Sequence, residues 1–215
     1  EHLGVLVGRE PAACFGRPRR SSVRCPHFGN RTGAGRDGQR RICRTDGTLG
    51  GMTVAREARP VVYLDVDGAV SALSGSPGFG DGTPLELYGD VLTVSPRLGA
   101  RLRALDAELR WLTTWGVDAD EIGAAMGLPA LTVAAEPPMD ATAGGPWKFA
   151  AVRAQVGHER RPFVWVDDEA IPDAADEWLR SIDVPGLLVR PDPDLGLTPA
   201  DLDAVEAFVA ALPWR

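Results

Sequence analysis

The sequence predicts an α/β protein built on a five-stranded parallel sheet with helices on both faces. From residue 60 onward, short apolar runs alternate with amphipathic stretches that begin at helix-capping residues. This alternation is typical of parallel strands joined by right-handed crossovers. The run VVYL at 61–64 is apolar throughout, as expected for a strand that is covered on both faces.

Each predicted strand is a short run enriched in β-branched, aromatic or other apolar residues. The runs cover residues 61–66, 109–113, 130–135, 162–166 and 186–190. A β-like piece at 90–94 follows a stretch rich in Gly, Pro and Ser, and we interpret it as one arm of a small flap hairpin.

Helix signals occupy the segments between these strands. Ser95-Pro96 and Thr198-Pro199 each combine a capping hydroxyl with a proline at the first helical position, which favours a helix start. The predicted helices cover residues 96–108, 118–127, 147–156 and 174–182, and a last helix begins at 199.

Charge divides the chain into two parts. Residues 1–51 hold ten Arg and four acidic residues, whereas 52–215 hold thirteen basic and twenty-six acidic residues. The first part is rich in Arg and Gly without hydrophobic periodicity, so we expect it to be disordered and 52–215 to form the folded domain. Residues 1–51 have three alternative interpretations: a basic arm that binds nucleic acid, a targeting peptide, or non-native sequence upstream of a translation start at Met52.

Composition narrows the functional classes. The chain is 44% hydrophobic and 25% charged, and no apolar run approaches the ~20 residues of a membrane span, so no membrane partner is expected. Cys14, Cys25 and Cys43 all lie in the basic segment, and their spacing does not match a compact zinc site. Because 52–215 contains no cysteine, a reducing cytoplasm is expected. The acidic balance of the domain opposes broad affinity for nucleic acid.

Polar side chains gather at predicted strand ends and at one helix start. They are, in chain order, Asp65, Asp67, Thr113, Thr114, Lys148, Asp167 and Asp168. In a parallel sheet the carboxyl ends of all strands lie on one edge, where open α/β sheets bind ligands. These side chains are therefore expected to converge.

The residue types suit phosphate chemistry. Aspartates collect a hard cation such as Mg²⁺, a lysine and a hydroxyl suit phosphoryl oxygens, and an aspartate can act as a nucleophile. Lys148 is the single lysine among twenty-three basic residues. A cation in the first turn of a helix opposes the helix dipole, which favours a role for Lys148 in the site over an incidental surface position.

Four motifs in this order resemble those of the haloacid dehalogenase-like (HAD) superfamily of phosphohydrolases. They are Asp65-Val66-Asp67-Gly68 after a strand, a strand-end threonine, the lone Lys148, and Asp167-Asp168 after a strand. The segments 111–115, 145–148, 165–169 and 196–199 are also similar to a HAD-like branch linked to bacterial RNA-repair proteins. The resemblance covers residues 60–215 and implies a Rossmann-like sheet with a small flap and no full cap domain.

The resemblance also implies a role for each motif. Asp65 corresponds to the nucleophile that becomes aspartyl-phosphate, and Asp67 to the general acid/base whose main-chain carbonyl contacts Mg²⁺. Thr113, or its neighbour Thr114, corresponds to the phosphoryl-binding hydroxyl. Lys148 balances the charge of Asp65 and the phosphate. The pair Asp167 and Asp168 holds Mg²⁺, directly or through water, and either could be the direct ligand.

These expectations combine into a Mg²⁺-dependent phosphatase. A capless member of the superfamily usually has an open site, which favours large substrates such as nucleic-acid ends without excluding small ones. The alternatives are a non-catalytic phosphate-responsive module, such as a receiver domain, and a degenerate HAD-like scaffold. A receiver domain has its motifs in a different order. Tryptophans can stack on bases, but core or site-wall packing is the more common role, expected here for Trp111, Trp115, Trp147 and Trp165.

Overall fold

The structure is a computed structural model that describes residues 59–212. The predicted disorder of 1–51 and the suggested translation start at Met52 lie outside this range. Seven strands are present: β1 (Val61–Leu64), β2 (Thr83–Leu87), β3 (Asp90–Val94), β4 (Glu108–Trp111), β5 (Thr132–Val133), β6 (Phe163–Val166) and β7 (Gly186–Val189). Five of them form one sheet in the order β5-β4-β1-β6-β7, and every pairing in it is parallel.

β1 is the central strand of this sheet. Leu64 is in register with Trp111 of β4 on one side and with Val166 of β6 on the other. The Asp65 N–H continues the ladder by donating to the Val166 carbonyl at 3.1 Å. The polar residues that follow β1, β4 and β6 therefore emerge next to one another on the carboxyl edge.

Five helices flank the sheet, which confirms the predicted α/β architecture. The α-helices within residues 59–212 are α1 (Pro96–Ala104), α2 (Ala119–Ala125), α3 (Pro146–Glu159), α4 (Ala174–Ser181) and α5 (Pro199–Ala211). Side chains alternate across β1, so Val62 and Leu64 join a core with α1, α2 and α5, whereas Val61 and Tyr63 join a core with α3 and α4. None of the helices within 59–212 is long and apolar enough to cross a membrane.

Capping explains where several helices begin and end. The Ser95 hydroxyl accepts a hydrogen bond from the Leu98 N–H at 3.0 Å, and Thr198 and Asp201 form a reciprocal capping box. α3 is longer than the predicted 147–156. It begins at Pro146 and ends where Arg160 adopts a left-handed conformation with φ of 54°, which terminates the helical hydrogen-bond ladder.

A two-stranded antiparallel hairpin, β2–β3, occupies the insert between β1 and α1. Its turn consists of Tyr88 and Gly89, both with positive φ, the conformation that matches the twist of a tight hairpin. The predicted β-like piece at 90–94 is confirmed as β3. Its partner β2 carries Pro84, and this segment showed no strand periodicity in the sequence.

An ion-pair network joins the start of β4 to the end of α3 and the segment before β6. Arg110 contacts Glu159 at 2.6 Å and Glu108 at 2.8 Å, and Arg161 contacts Glu108 at 2.8 Å. Both arginine side chains are 11% exposed. Since Glu108 begins β4 and Arg161 precedes β6, this network connects the amino-terminal ends of these strands.

Candidate active site

The centre of the site is a buried lysine held between two aspartates. Lys148 Nζ lies 2.5 Å from Asp65 Oδ2 and 2.9 Å from Asp167 Oδ2. The lysine and Asp167 are fully buried and Asp65 is 3% exposed. Buried charges persist only when they are paired and hydrogen-bonded, so these three side chains form one unit. The predicted convergence of β1, α3 and β6 on one edge is confirmed for these residues.

Backbone donors fix both carboxylates from the other side. Asp65 Oδ1 accepts a hydrogen bond from the Val66 N–H at 2.8 Å. Asp167 Oδ1 accepts from the N–H groups of Glu169 at 3.1 Å and Ala170 at 2.6 Å. In each carboxylate one oxygen therefore faces Lys148 and the other faces the main chain.

A third carboxylate, that of Asp168, completes an acidic cluster. One oxygen each from Asp65, Asp167 and Asp168 lie within 4.8 Å of one another, and such a set of oxygens suits a hard divalent cation. Gly68 allows this approach. It has φ of +70°, and a Cβ at this position would lie 2.4 Å from the Asp168 carboxylate. A side chain at Gly68 would therefore displace the third carboxylate.

Asp67 faces a different environment from Asp65. It is partly exposed, and its Oδ2 accepts a hydrogen bond from the indole Nε1–H of Trp115 at 2.8 Å. Trp115 follows β4, the strand adjacent to β1. The turn after the neighbouring strand thus holds the Asp67 carboxylate in one orientation.

The two candidate threonines follow β4 on the same edge. Thr113 is fully buried, and its hydroxyl oxygen accepts a hydrogen bond from the Trp115 N–H at 3.4 Å. Thr114 is partly exposed. Thr113 therefore lies on the same edge of the sheet as the carboxylates, because β4 is adjacent to β1. The hydrogen bond of its hydroxyl oxygen is made to the main chain of its own turn.

Burial perturbs the acids and the lysine. It raises the pKa of Asp65 to about 7, an effect that Asp167 strengthens and Lys148 opposes. Burial also raises the pKa of Asp67, although the hydrogen bond from Trp115 lowers it in part. The pKa of Asp168 is raised by burial as well. For Lys148 burial lowers the pKa, but the carboxylates of Asp65 and Asp167 outweigh it and the net shift is upward. The site has more carboxylates than lysines, so a proton or a cation is needed to offset the excess.

The tryptophans divide as expected between core and site wall. Trp111 and Trp165 are fully buried, Trp147 donates to the Thr142 carbonyl at 3.1 Å, and Trp115 contacts Asp67. Sequence reasoning did not identify the bond from Trp115 to Asp67. The available signal was the position of Trp115 two residues after Thr113, which places an indole on the same edge.

The fold and the site together define the class of molecule: an α/β protein with a lysine-bridged acidic site at the carboxyl edge of a parallel sheet. Comparison with protein-family models, with curated proteins and with solved structures found no match. The functional argument is therefore made from the geometry of the site.

Proposed function

We propose that this domain is a Mg²⁺-dependent, HAD-like phosphatase that works through an aspartyl-phosphate on Asp65. The observation that carries the proposal is the pair of contacts from Lys148 Nζ to Asp65 and Asp167, with the Asp168 carboxylate alongside. Lysine pairs with phosphate as a compact point charge, and clustered carboxylates suit Mg²⁺. One sheet edge thus combines the groups that phosphoryl transfer needs.

The reaction consists of two balanced steps. A carboxylate oxygen of Asp65 attacks the phosphorus of a monoester, the bond to the leaving oxygen breaks, and Asp67 gives that oxygen a proton, so an alcohol leaves. Asp67, now a carboxylate, then takes a proton from water as the water attacks the aspartyl-phosphate. Inorganic phosphate leaves, Asp65 is restored and Asp67 is again protonated. The raised pKa of Asp67 favours the protonated form that the first step requires.

The contacts favour different roles for the two acids after β6. Asp167 accepts three hydrogen bonds, one from Lys148 and two from main-chain N–H groups, which is one more than Asp65 accepts, and we assign to it the role of positioning the lysine. Asp168 lies against Gly68 within the acidic cluster and is the better candidate for direct contact with the cation. Asp65 and the main-chain carbonyl of Asp67 would complete the protein ligands.

Mg²⁺, when bound, neutralises charge on the transferring phosphoryl group. Lys148, which contacts Asp65, would add positive charge beside the same phosphoryl group, and Thr113 or Thr114 would offer a hydroxyl to a phosphoryl oxygen. A nucleic-acid end as the substrate and a cytoplasmic location both stay predictions.

Hydrolysis of 4-nitrophenyl phosphate by the full chain, with Mg²⁺ or with a chelator, tests the proposal. We expect Mg²⁺-dependent turnover that Asp65→Asn abolishes. Glu177→Gln, on the exposed part of α4, is a matched charge control and should retain activity. Turnover no faster than that of Asp65→Asn would leave the alternatives, a phosphate-responsive module or a degenerate scaffold.

A further inference from the structure

A cleft of about 320 Å³ opens beside Asp67. Its walls are the segment after β1, the β3 arm of the hairpin and the turn after β4. The residues that characterise it are Asp67, Ser71, Leu73, Asp90, Val91 and Trp115. Because Asp67 is the proposed proton donor to the leaving oxygen, a group attached to that oxygen would extend into this cleft.

The cleft presents apolar surface to solvent. Leu73 is 61% exposed and Val91 is 72% exposed, and Trp115, which also lines the cleft, is partly exposed. Exposed apolar side chains that line one concavity mark a binding site more often than isolated ones do. A ligand with an apolar body would remove this surface from water.

The charged lining of the cleft is acidic. Its charged members are Asp67 and Asp90, and the lining described within 59–212 includes no basic side chain. The basic residue at the start of α1, Arg97, donates to the Phe79 carbonyl at 3.2 Å and is not part of the lining. A second negative charge on the substrate would therefore be repelled here rather than paired.

We propose that this cleft binds the leaving group of the substrate and selects an uncharged alcohol with an apolar, preferably planar, body over an anionic one. The inference rests on the proposed phosphatase function and narrows its substrate class. It favours a small phosphomonoester and disfavours a nucleic-acid end, whose adjoining phosphates would meet the Asp90 carboxylate. Trp115 offers a planar surface, and Leu73 and Val91 add apolar surface to the same cleft.

Two aryl phosphates of similar shape test the preference in the full chain with Mg²⁺. The probes are 3-methylphenyl phosphate and 3-carboxyphenyl phosphate, whose phenols have similar acidity, so the intrinsic leaving-group reactivity is nearly matched. We expect kcat/KM to be at least about tenfold higher for the methyl probe. Methyl phosphate, which has no apolar body to fill the cleft, is the reference substrate and should have the highest KM.

Two variants test the lining residues through ratios of kcat/KM. Asp90→Asn should reduce the preference for the methyl over the carboxy probe by roughly threefold, because it removes one partly screened repulsion. Glu177→Gln removes the same charge from α4 and should keep the ratio.

Val91→Thr, nearly isosteric but polar, should reduce the preference for the methyl probe over methyl phosphate by roughly threefold. Val117→Thr, at an equally exposed valine outside the lining, should not.

The outcomes separate this inference from the proposed function. Equal turnover of the two aryl probes, or a faster reaction with the carboxy probe, would overturn the leaving-group preference while the phosphatase function stands. Unchanged ratios in both Asp90→Asn and Val91→Thr would also overturn it, because another surface would then set the preference. If no phosphate ester is hydrolysed faster than by Asp65→Asn, the function and the inference fall together.

Discussion

The indole Nε1–H of Trp115 donates a hydrogen bond to Asp67 Oδ2 at 2.8 Å, across 48 positions of sequence. This bond joins the turn after β4 to the end of β1. It occupies one oxygen of the carboxylate and leaves the other for proton transfer. Trp115 is therefore a positioning residue for Asp67, in addition to its place in the cleft wall.

Trp115→Phe should slow the release of poor leaving groups more than that of good ones. The ring remains but the N–H donor is lost, so Asp67 is less well oriented as a general acid, an effect of about tenfold. An alkyl phosphate depends on this proton, whereas 4-nitrophenyl phosphate depends on it little. The measurement is kcat for both substrates. Trp147→Phe, which loses an indole bond to a main-chain carbonyl instead, is the matched control, and an equal loss for both substrates would contradict the assigned role.

Lys148→Met should destabilise the metal-free protein. The substitution keeps a long side chain but leaves the carboxylates of Asp65 and Asp167 buried without their cation, at a cost of about 3 kcal/mol in the free energy of unfolding. Urea unfolding in the presence of a chelator measures this cost. Arg180→Met, an exposed position in α4, should change stability by less than about 0.5 kcal/mol. Similar costs for the two variants would show that the buried pairing contributes little.

Gly68→Ala should weaken Mg²⁺ binding and activity by at least about tenfold, because the new Cβ overlaps the Asp168 carboxylate. Gly80→Ala is the control for backbone strain. Gly80 has φ of +73°, close to that of Gly68, but a Cβ there would meet nothing within 4 Å. Mg²⁺ titrations of activity and thermal unfolding of both variants separate the effects. If the two alanines impair Mg²⁺ binding equally, strain rather than displacement of Asp168 is responsible.

The stability of the metal-free protein should depend on pH through Asp65. Its pKa is raised from 3.8 to about 7 in the folded protein, chiefly by burial. Such a carboxyl contributes stability that is fully present below its ordinary pKa and is lost as the pH rises through about 7. Mg²⁺ binds the carboxylate form, so the rise in Tm that it causes should be larger at about pH 8 than at about pH 6.

Thermal unfolding with Mg²⁺ and with a chelator at the two pH values provides the measurement. Asp65→Asn cannot titrate at this position and should show a much smaller pH dependence of the Mg²⁺ effect. A Mg²⁺-induced rise in Tm that is equal at both pH values in the wild-type protein would rule out proton displacement from Asp65.

Arg110→Met should lower stability without a specific effect on the site. Arg110 pairs with Glu108 and Glu159 on the amino-end side of the sheet, and its loss leaves two partly buried carboxylates with fewer partners, at about 2 kcal/mol. Arg101→Met removes two more exposed ion pairs, to Asp203 and Glu206, and should cost less than about 1 kcal/mol. The two measurements are chemical unfolding and kcat for 4-nitrophenyl phosphate. A change in kcat under conditions where the variant is fully folded would show that Arg110 also affects the site.

Much of the fold was predictable because two neighbouring strands at the centre of the parallel sheet, β1 and β6, are continuous apolar runs. The segments containing β1 and β6 end in carboxylates, which marks the edge of the sheet directly in the sequence. β5 has only two residues, fewer than the predicted 130–135, because only Arg110 and Trp111 of β4 pair with it. β2 was not predicted, since its pairing with β3 depends on the turn at Tyr88-Gly89 rather than on periodicity.

The sequence was sufficient to predict which residues form the site, because they follow strands or begin a helix, but it did not predict how their side chains are oriented. Asp65, Lys148, Asp167 and Asp168 converge as their positions after strands and at a helix start indicated. The distinction between Asp167 and Asp168 depends on main-chain N–H groups of the following turn, and the bond to Asp67 depends on how the turn after β4 directs the Trp115 ring. Residue spacing does not encode either orientation.

The hairpin β2–β3 contains Asp90 and Val91 but none of Asp65, Lys148, Asp167 and Asp168. The hairpin is inserted between β1 and α1, and the hydroxyl of its turn residue Tyr88 donates a hydrogen bond to Glu121 of α2 at 3.4 Å. Leu87, Leu92 and Val94 of the hairpin are buried in the core that contains Val62 and Leu64 of β1, whereas Tyr88 and Val91 are exposed. Amino-acid changes at the exposed positions of the hairpin can therefore accumulate without disturbing the parallel sheet. Related chains could diverge in what they bind while they retain the same sheet and the same acidic site, and substitutions at the exposed hairpin positions are a direct route to altered ligand selectivity.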